Sequence, residues 1–172
     1  ALRSHEDSFS LVLHGDSQYT EELIQTGMMR EDAAQRCTRE LNRRLVALFA
    51  DEGVATVGLH GYQRDTVTYD GNELSINTEY IQSLPEGPVL LLSNLARNPE
   101  TEKIITVPVS KLVNRLATIL DLEEIIAFKQ NSEESTDAIP QELENAPFSF
   151  RHVEVSTFKN VSKLTETSLT TP

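Results

Sequence analysis

The sequence is poor in several residue types that would point to a definite class of protein. It has a single cysteine, Cys37, and no tryptophan. One cysteine cannot form a disulfide within these residues, so no disulfide framework of the kind found in small secreted domains is expected. Because Cys37 lies among regularly spaced apolar residues, we interpret it as a small core side chain.

Basic residues are also scarce. The chain has 15 Lys and Arg against 27 Asp and Glu, which gives a net charge of −12. Binding to nucleic acid needs a basic face, and so does binding to an anionic membrane. The charge balance therefore argues against both partners, and its plainest interpretation is solubility.

Long apolar runs are missing as well. No run approaches the roughly 20 residues that a membrane-spanning helix needs, and no signal-peptide pattern is recognisable. We therefore expect a cytoplasmic protein.

Familiar catalytic motifs are missing too. The chain contains no GxSxG turn, no Walker loop and no GxGxxG fingerprint. None of its four histidines has a His, Cys or carboxylate partner at a spacing typical of zinc sites. We predict no metal site.

The stretch from Arg30 to Gly61 is the most informative part of the sequence. It predicts a long helix that ends near Gly53, followed by a buried strand over Val54–Leu59 and a turn bounded by Gly58 and Gly61. Apolar residues spaced three or four apart predict one buried helical stripe: Ala34, Cys37, Leu41, Leu45, Leu48 and Phe49.

Strands and helices alternate along the rest of the chain. The pattern predicts strands at Ser8–Leu13, Val89–Leu92, Ile125–Phe128 and Phe148–Phe158, of which the last is expected to be antiparallel at an edge. It predicts helices at Tyr19–Gly27, at Thr78–Leu84 and from Pro108 onward. A hairpin turn is expected at Asp70-Gly71 and a polar loop over Arg97–Lys103. The acidic segment Gln130–Pro147 is interpreted as a mobile loop.

This order predicts an α/β fold with a mostly parallel sheet flanked by helices in three layers, and an added hairpin. We assign residues 1–130 to the α/β domain. Residues 131–172 would supply an acidic loop, a strand and a tail that pack on the same domain.

Two histidines are candidates for a ligand site. His14 and His60 each follow a predicted strand beside a glycine, and ligands of open parallel sheets collect at the carboxyl ends of strands. The two would then line one crevice, where Gly15, Gly58 and Gly61 allow close backbone approach. The alternative is that both are loop histidines facing solvent.

Asp16 and Ser17 complete the candidate set, because they lie between the first strand and the first helix. Backbone N–H groups at such a helix start can bind an anion. Ser17 fits a helix cap equally well.

The order LVLHG, a helix, and then LNRRLVALFADEGVATVGLHG resembles the amino-acid kinase family, and within it the N-acetylglutamate kinases. The resemblance covers about residues 8–130. The family has a strand ending in His-Gly, an Asn at the start of a following helix, and a GL-x-G turn. The corresponding residues here are His14-Gly15, Asn42, and Gly58-Leu59 with Gly61. It implies binding of an acylated amino acid and self-association as a homodimer.

The sequence also departs from the family pattern. The family's strand with a lysine and paired glycines, which holds the transferring phosphate, has no counterpart here. The glycine triplet is reduced to Gly15-Asp16-Ser17, Gln63-Arg64 replaces an Asp-Gly, and Lys111 lies nearest the place of a family aspartate. The resemblance therefore implies a poor kinase.

Three functions remain open. The leading one is a reduced, catalytically inactive amino-acid-kinase-like domain that needs no cofactor, binds a small amino-acid ligand and serves assembly or regulation as a homodimer. The second is an active kinase that phosphorylates the side-chain carboxylate of an N-acylated amino acid with ATP and Mg²⁺. The third is an acidic protein-interaction module.

Overall fold

The computed structural model describes residues 10–120 in full and two further strands, 124–129 and 149–154, by their backbone. The chain divides into two compact units, residues 1–115 and residues 116–172. The elements in chain order are β1 (Leu11–His14), α1 (Tyr19–Gln25), α2 (Arg30–Asp51), β2 (Thr56–His60), β3 (Val67–Tyr69), β4 (Leu74–Ile76), α3 (Thr78–Gln82), β5 (Val89–Ser93), β6 (Leu95–Arg97), β7 (Ile104–Thr106), α4 (Val109–Ile119), β8 (Glu124–Lys129) and β9 (Ser149–Glu154).

Sheet A is a three-stranded parallel sheet in the order β1-β5-β2. Its central strand β5 carries the most apolar run of the sequence, and Leu90, Leu91 and Leu92 are all buried. A parallel strand that is covered on both faces has a continuous run of apolar residues in its sequence. The run at Val89–Leu92 therefore allowed the central position of β5 to be predicted.

Sheet B has four strands in the order β4-β3-β6-β7 and is mixed in direction. The predicted hairpin is confirmed as β3 and β4. Its turn is built by Asp70, whose carboxylate accepts hydrogen bonds from the N–H groups of Asn72 and Glu73 at 2.7 Å each. Gly71 in the same turn has a φ of +103°, a conformation that glycine adopts at little cost.

Strand β6 was not predicted. Only Asn94 separates it from β5, so one nearly continuous extended segment passes from sheet A into sheet B. The predicted polar loop from Arg97 overlaps the end of β6. The sequence offers no turn signal at Asn94 that would mark two short strands instead of one.

Helix α2 confirms the predicted helix, and Gly53 follows it with a φ of +73°. The predicted stripe is partly wrong, because Leu48 is 58% exposed. The buried face instead runs through Ala33, Cys37, Thr38 and Asn42. An apolar template misses this face because two of its four members are polar.

The second unit contains the parallel pair β8 and β9, in which Glu124 lies opposite Ser149 and Lys129 opposite Glu154. The prediction that the last strand is antiparallel was wrong. Alternation of side chains predicts a strand but carries no information on its direction. A parallel pair needs a connection of a dozen or more residues, and the chain between the two strands is long enough. The predicted acidic loop Gln130–Pro147 lies outside the described residues.

The predicted fold class is confirmed. The structure is α/β, with a parallel sheet A and a mixed sheet B flanked by helices, consistent with a three-layer arrangement. In the part of the chain that the structure describes, no helix has both the length and the apolar character needed to cross a bilayer.

Gly61 begins the turn after β2 and is buried. A Cβ atom at this position would collide with the backbone carbonyl oxygen of Leu95 and would lie 2.9 Å from the Val67 Cγ2 atom. A backbone oxygen cannot move aside as a flexible side chain can. Glycine is therefore required here by the close approach of two chain segments.

We expect Gly61→Ala to lower the free energy of unfolding by about 2 kcal/mol or more, because overpacking against backbone is not relieved by a rotamer change. Urea unfolding followed by far-ultraviolet circular dichroism measures the change. Gly53→Ala is the matched control, since a Cβ at Gly53 meets nothing within 4 Å and only its φ of +73° is unfavourable. The control should cost about 1 kcal/mol. Equal losses would show that steric contact at Gly61 is not the cause.

Candidate functional site

Three polar residues lie side by side at the carboxyl end of sheet A. His14 is opposite Ser93 in the β1–β5 register, and His60 is opposite Ser93 in the β2–β5 register. We call these three residues the histidine row. In-register residues of adjacent strands face the same side of a sheet, so the row forms one line across the edge where parallel sheets bind ligands. The structure therefore places the two sequence-predicted histidines on either side of Ser93.

His14 is the buried end of the row, with 9% of its surface exposed. Its Nε2 atom lies 2.9 Å from the Asn42 amide nitrogen, which donates a hydrogen bond to it. Its Nδ1 atom lies 2.9 Å from the Gly15 carbonyl oxygen, which can only accept. These two partners assign the proton to Nδ1, so His14 is a neutral imidazole held from both sides. Burial lowers the pKa of His14, and the bond to Gly15 offsets part of that effect.

His60 is the more open end of the row. Its Nδ1 atom lies 3.0 Å from the Ser93 hydroxyl oxygen. Its ring stacks on Tyr62 with a centroid distance of 5.5 Å, and the Arg39 guanidinium lies 5.6 Å from the centre of the Tyr62 ring. The pKa of His60 is lowered first by burial, then by the positive charge of Arg39, and then by His14. His60 is therefore a partly accessible, uncharged imidazole in a positive environment.

Asn42 joins α2 to the row. It is buried, and its amide nitrogen also approaches the Leu91 carbonyl oxygen at 3.4 Å. Its position was noted only through the family resemblance, as the Asn of the second helix. Asn42 occupies the buried face of α2, where the periodic pattern alone would place an apolar side chain.

The space beside the glycines next to the row is filled by neighbouring protein atoms. A Cβ on Gly58 would lie 2.7 Å from Val46 Cγ2 and 2.9 Å from Asn42 Oδ1. A Cβ on Gly15 would lie 3.1 Å from Val109 Cγ2. The sequence predicts room for a ligand at these positions, but side chains of α2 and of the residue that begins α4 fill it.

Asp16 and Ser17 lie between β1 and α1. Asp16 is exposed, and the Ser17 carbonyl oxygen accepts the Thr20 N–H at 2.9 Å. Residue Gln18 occupies the cap position of α1 without a side-chain cap hydrogen bond. Ser17 thus supports the first turn of α1 through its backbone, and its side chain lines a groove between α1 and α2.

Asn94 was missed by the sequence reasoning. Its backbone N–H donates to the His14 carbonyl oxygen at 2.9 Å, and its amide nitrogen donates to the Val107 carbonyl oxygen at 2.8 Å. Its side-chain oxygen is buried and has no partner among the described residues. Asn94 fixes the point where the chain passes from sheet A to sheet B, directly behind the histidine row.

A wide cleft of about 870 Å³ opens between α2 and β2. We call it the arginine cleft. It is lined by Arg36, Arg39, Glu40, Asn42, Arg43, Arg44, Val46, Gly58 and His60. The sequence contains a signal for this cleft, because arginines three, four and seven positions apart fall on neighbouring turns of one helix.

Within the described residues, no group of three His, Cys, Asp or Glu side chains is placed to hold a metal ion. The row offers two imidazoles and a hydroxyl, and one of those imidazoles is already bonded at both nitrogens.

Comparison with known proteins adds no assignment. No protein-family model matches the sequence, and no curated protein matches it significantly.

We expect the protein to lose stability as the pH falls below about 6.5, the ordinary pKa of histidine. The folded-state pKa values of His14 and His60 are lowered, so between those values and 6.5 the unfolded chain binds more protons than the folded chain. The stabilisation is therefore complete above the unfolded pKa and is lost as the pH falls through the folded pKa.

Urea unfolding at about pH 7.5 and pH 5.5 measures this loss, and the difference should shrink in His14→Gln, which removes one titrating ring. A wild-type unfolding free energy that stays constant over this interval would contradict the assignment of His14 as a buried neutral imidazole.

Proposed function

We propose that this chain is a reduced amino-acid-kinase-like domain that binds a small amino-acid ligand at the histidine row and serves assembly or regulation without phosphoryl transfer. The observation that carries the proposal is the row itself. Two neutral imidazoles and a hydroxyl lie in register at the carboxyl edge of a parallel sheet, where open α/β sheets bind their ligands.

His60 is the residue of the row that a ligand would meet first. It is only half-buried, whereas His14 and Ser93 are buried. The Ser93 hydroxyl and the stacked Tyr62 ring hold the imidazole in one orientation. A ligand carboxylate or amide could hydrogen-bond to a group oriented in this way at a small cost in ordering.

The proposal excludes phosphoryl transfer because, in the family that the sequence resembles, a lysine holds the transferring phosphate. Phosphoryl transfer depends on neutralising the charge of the transferring phosphate. Lys103 and Lys111 are the lysines within residues 10–120. Lys111 donates to the Asn72 carbonyl oxygen at 2.7 Å and lies 4.8 Å from the centre of the Tyr69 ring, so it is bound to the β3–β4 hairpin.

Thermal-shift and calorimetric titrations with N-acetylglutamate, glutamate and arginine test the proposal. We expect saturable binding, which at 100 times the dissociation constant stabilises the fold by about 2.7 kcal/mol. His60→Ala should weaken binding about tenfold, the value of one lost hydrogen bond to a charged group.

Thr56→Ala is the matched control, because Thr56 lies at the other end of the same strand and its hydroxyl bonds only to the nearby Val54 carbonyl oxygen. The same titrations with ATP and Mg²⁺ cover the rival functions. Phosphorylation of the ligand would establish an active kinase, and no binding of any amino acid would favour the acidic interaction module. Size-exclusion chromatography with light scattering measures whether the chain forms the homodimer.

A further inference from the structure

The arginine cleft is a feature that amino-acid binding at the histidine row does not explain. Its lining holds four arginines and one glutamate, in a chain whose net charge is −12. Helix α2 therefore concentrates positive charge in one place on an otherwise acidic protein. Such a concentration costs energy through repulsion between like charges unless an anion is present.

Two of the four arginines are partly neutralised within the protein. Glu40 pairs with Arg43 at 3.0 Å and with Arg44 at 2.9 Å, both in exposed positions. Arg36 and Arg39 have no carboxylate partner among the described residues. Arg39 is held in place by other means, since its guanidinium lies over the Tyr62 ring and donates to the Gln35 side-chain oxygen at 3.4 Å.

Strand β2 adds one backbone donor beside the cleft. Strand β2 is an edge strand that pairs with β5 on one side only. The Val89 N–H bonds to the Ala55 carbonyl oxygen, so Ala55, Val57 and Leu59 direct their backbone groups toward β5. The backbone groups of the alternate residue Gly58 therefore point away from β5, and Gly58 is exposed and lines the cleft.

We propose that the arginine cleft binds a small oxyanion with two or more negative charges, a phosphate or carboxylate compound. Guanidinium groups match the planar forks of carboxylates and the oxygens of phosphates with paired hydrogen bonds. The Arg39 guanidinium, the Arg36 guanidinium and the Gly58 N–H would supply donors from two sides. The cleft volume of about 870 Å³ lies within the range of about 300–1,000 Å³ that is usual for small-ligand sites.

The negative net charge of the protein favours a small anion over a polymeric one as the ligand of the cleft. At physiological salt, charges interact over about 8 Å, so a small anion in the cleft experiences mainly the arginines. A nucleic acid or a membrane surface would extend beyond the cleft and meet the acidic remainder of the protein.

This site is separate from the proposed amino-acid site but adjoins it, because His60 belongs to both. The positive charge of Arg39 lowers the pKa of His60, so an anion bound beside Arg39 should offset this effect and raise the pKa. The occupant of the cleft would then control the protonation of the residue that we place in contact with the amino acid.

Isothermal titration calorimetry with pyrophosphate and with citrate, at low ionic strength, tests the proposal. We expect saturable binding of at least one of the two, weakening steeply with added salt. The double variant Arg36→Ala/Arg39→Ala should bind at least about tenfold more weakly. Arg39→Lys keeps the charge but loses the fork, and it should give an intermediate loss.

Arg30→Ala is the matched control. Arg30 lies on the same helix, pairs with Glu21 at 2.8 Å and does not line the cleft. It should leave the affinity within about twofold. An equal loss of affinity in the control and the double variant would mean that net charge alone causes the effect, and it would overturn the proposal. The absence of saturable binding of both anions to the wild type would overturn it too.

A histidine titration by nuclear magnetic resonance distinguishes this site from the amino-acid site. Pyrophosphate or citrate should raise the pKa of His60 in the wild type and leave it unchanged in the double variant. An unchanged pKa of His60 in the anion-saturated wild type would overturn binding beside Arg39. N-acetylglutamate is itself a dicarboxylate, so its binding is also measured in the double variant. Binding that persists there and is lost in His60→Ala belongs to the histidine row, so each proposal can fail by itself.

Discussion

The hydrogen bond between Asn42 and His14 is the interaction on which the arrangement of the site depends. It is buried, it crosses from the middle of α2 to the last residue of β1, and it fixes the His14 tautomer. An unpaired Asn side chain at that depth would cost about 1–3 kcal/mol, so the bond favours the packing of helix and sheet in which the two groups meet. Gly58 is required for the same reason, because a side chain at this position would displace Asn42.

The elements of the fold could largely be predicted from the sequence, and the reasons lie in particular residues. The run at Val89–Leu92 indicated a central parallel strand, Gly53 indicated the end of α2, and Asp70-Gly71 indicated the hairpin. Each of these is a local signal in which one or two side chains decide the backbone conformation. The direction of β9 and the break at Asn94 depend on which distant segment a strand pairs with, and local patterns do not encode that pairing.

The candidate site was predictable only in part. His14 and His60 stood out because each follows a strand beside a glycine. Ser93, which connects them, follows the most apolar run and carries no motif of its own. The role assigned to the glycines rested on their lack of a side chain, but the sequence does not say whether a ligand or the protein itself fills that space. In the structure, Val46, Asn42 and Val109 fill it.

Helix α2 explains why the buried row and the exposed cleft adjoin each other. Its buried face carries Thr38 and Asn42, and its outer turns carry the arginines, so one helix borders both the row and the cleft. The Tyr62 ring contacts both the Arg39 guanidinium and the His60 ring, and His60 also contacts the Ser93 hydroxyl. Under the inference made above, an anion in the cleft would act on His60 by electrostatic interaction through space, without movement of the helix. Regulation of this kind, as proposed above, would rest on the position of His60 between the arginines of the cleft and the histidine row, since protonation of an imidazole responds to nearby charge.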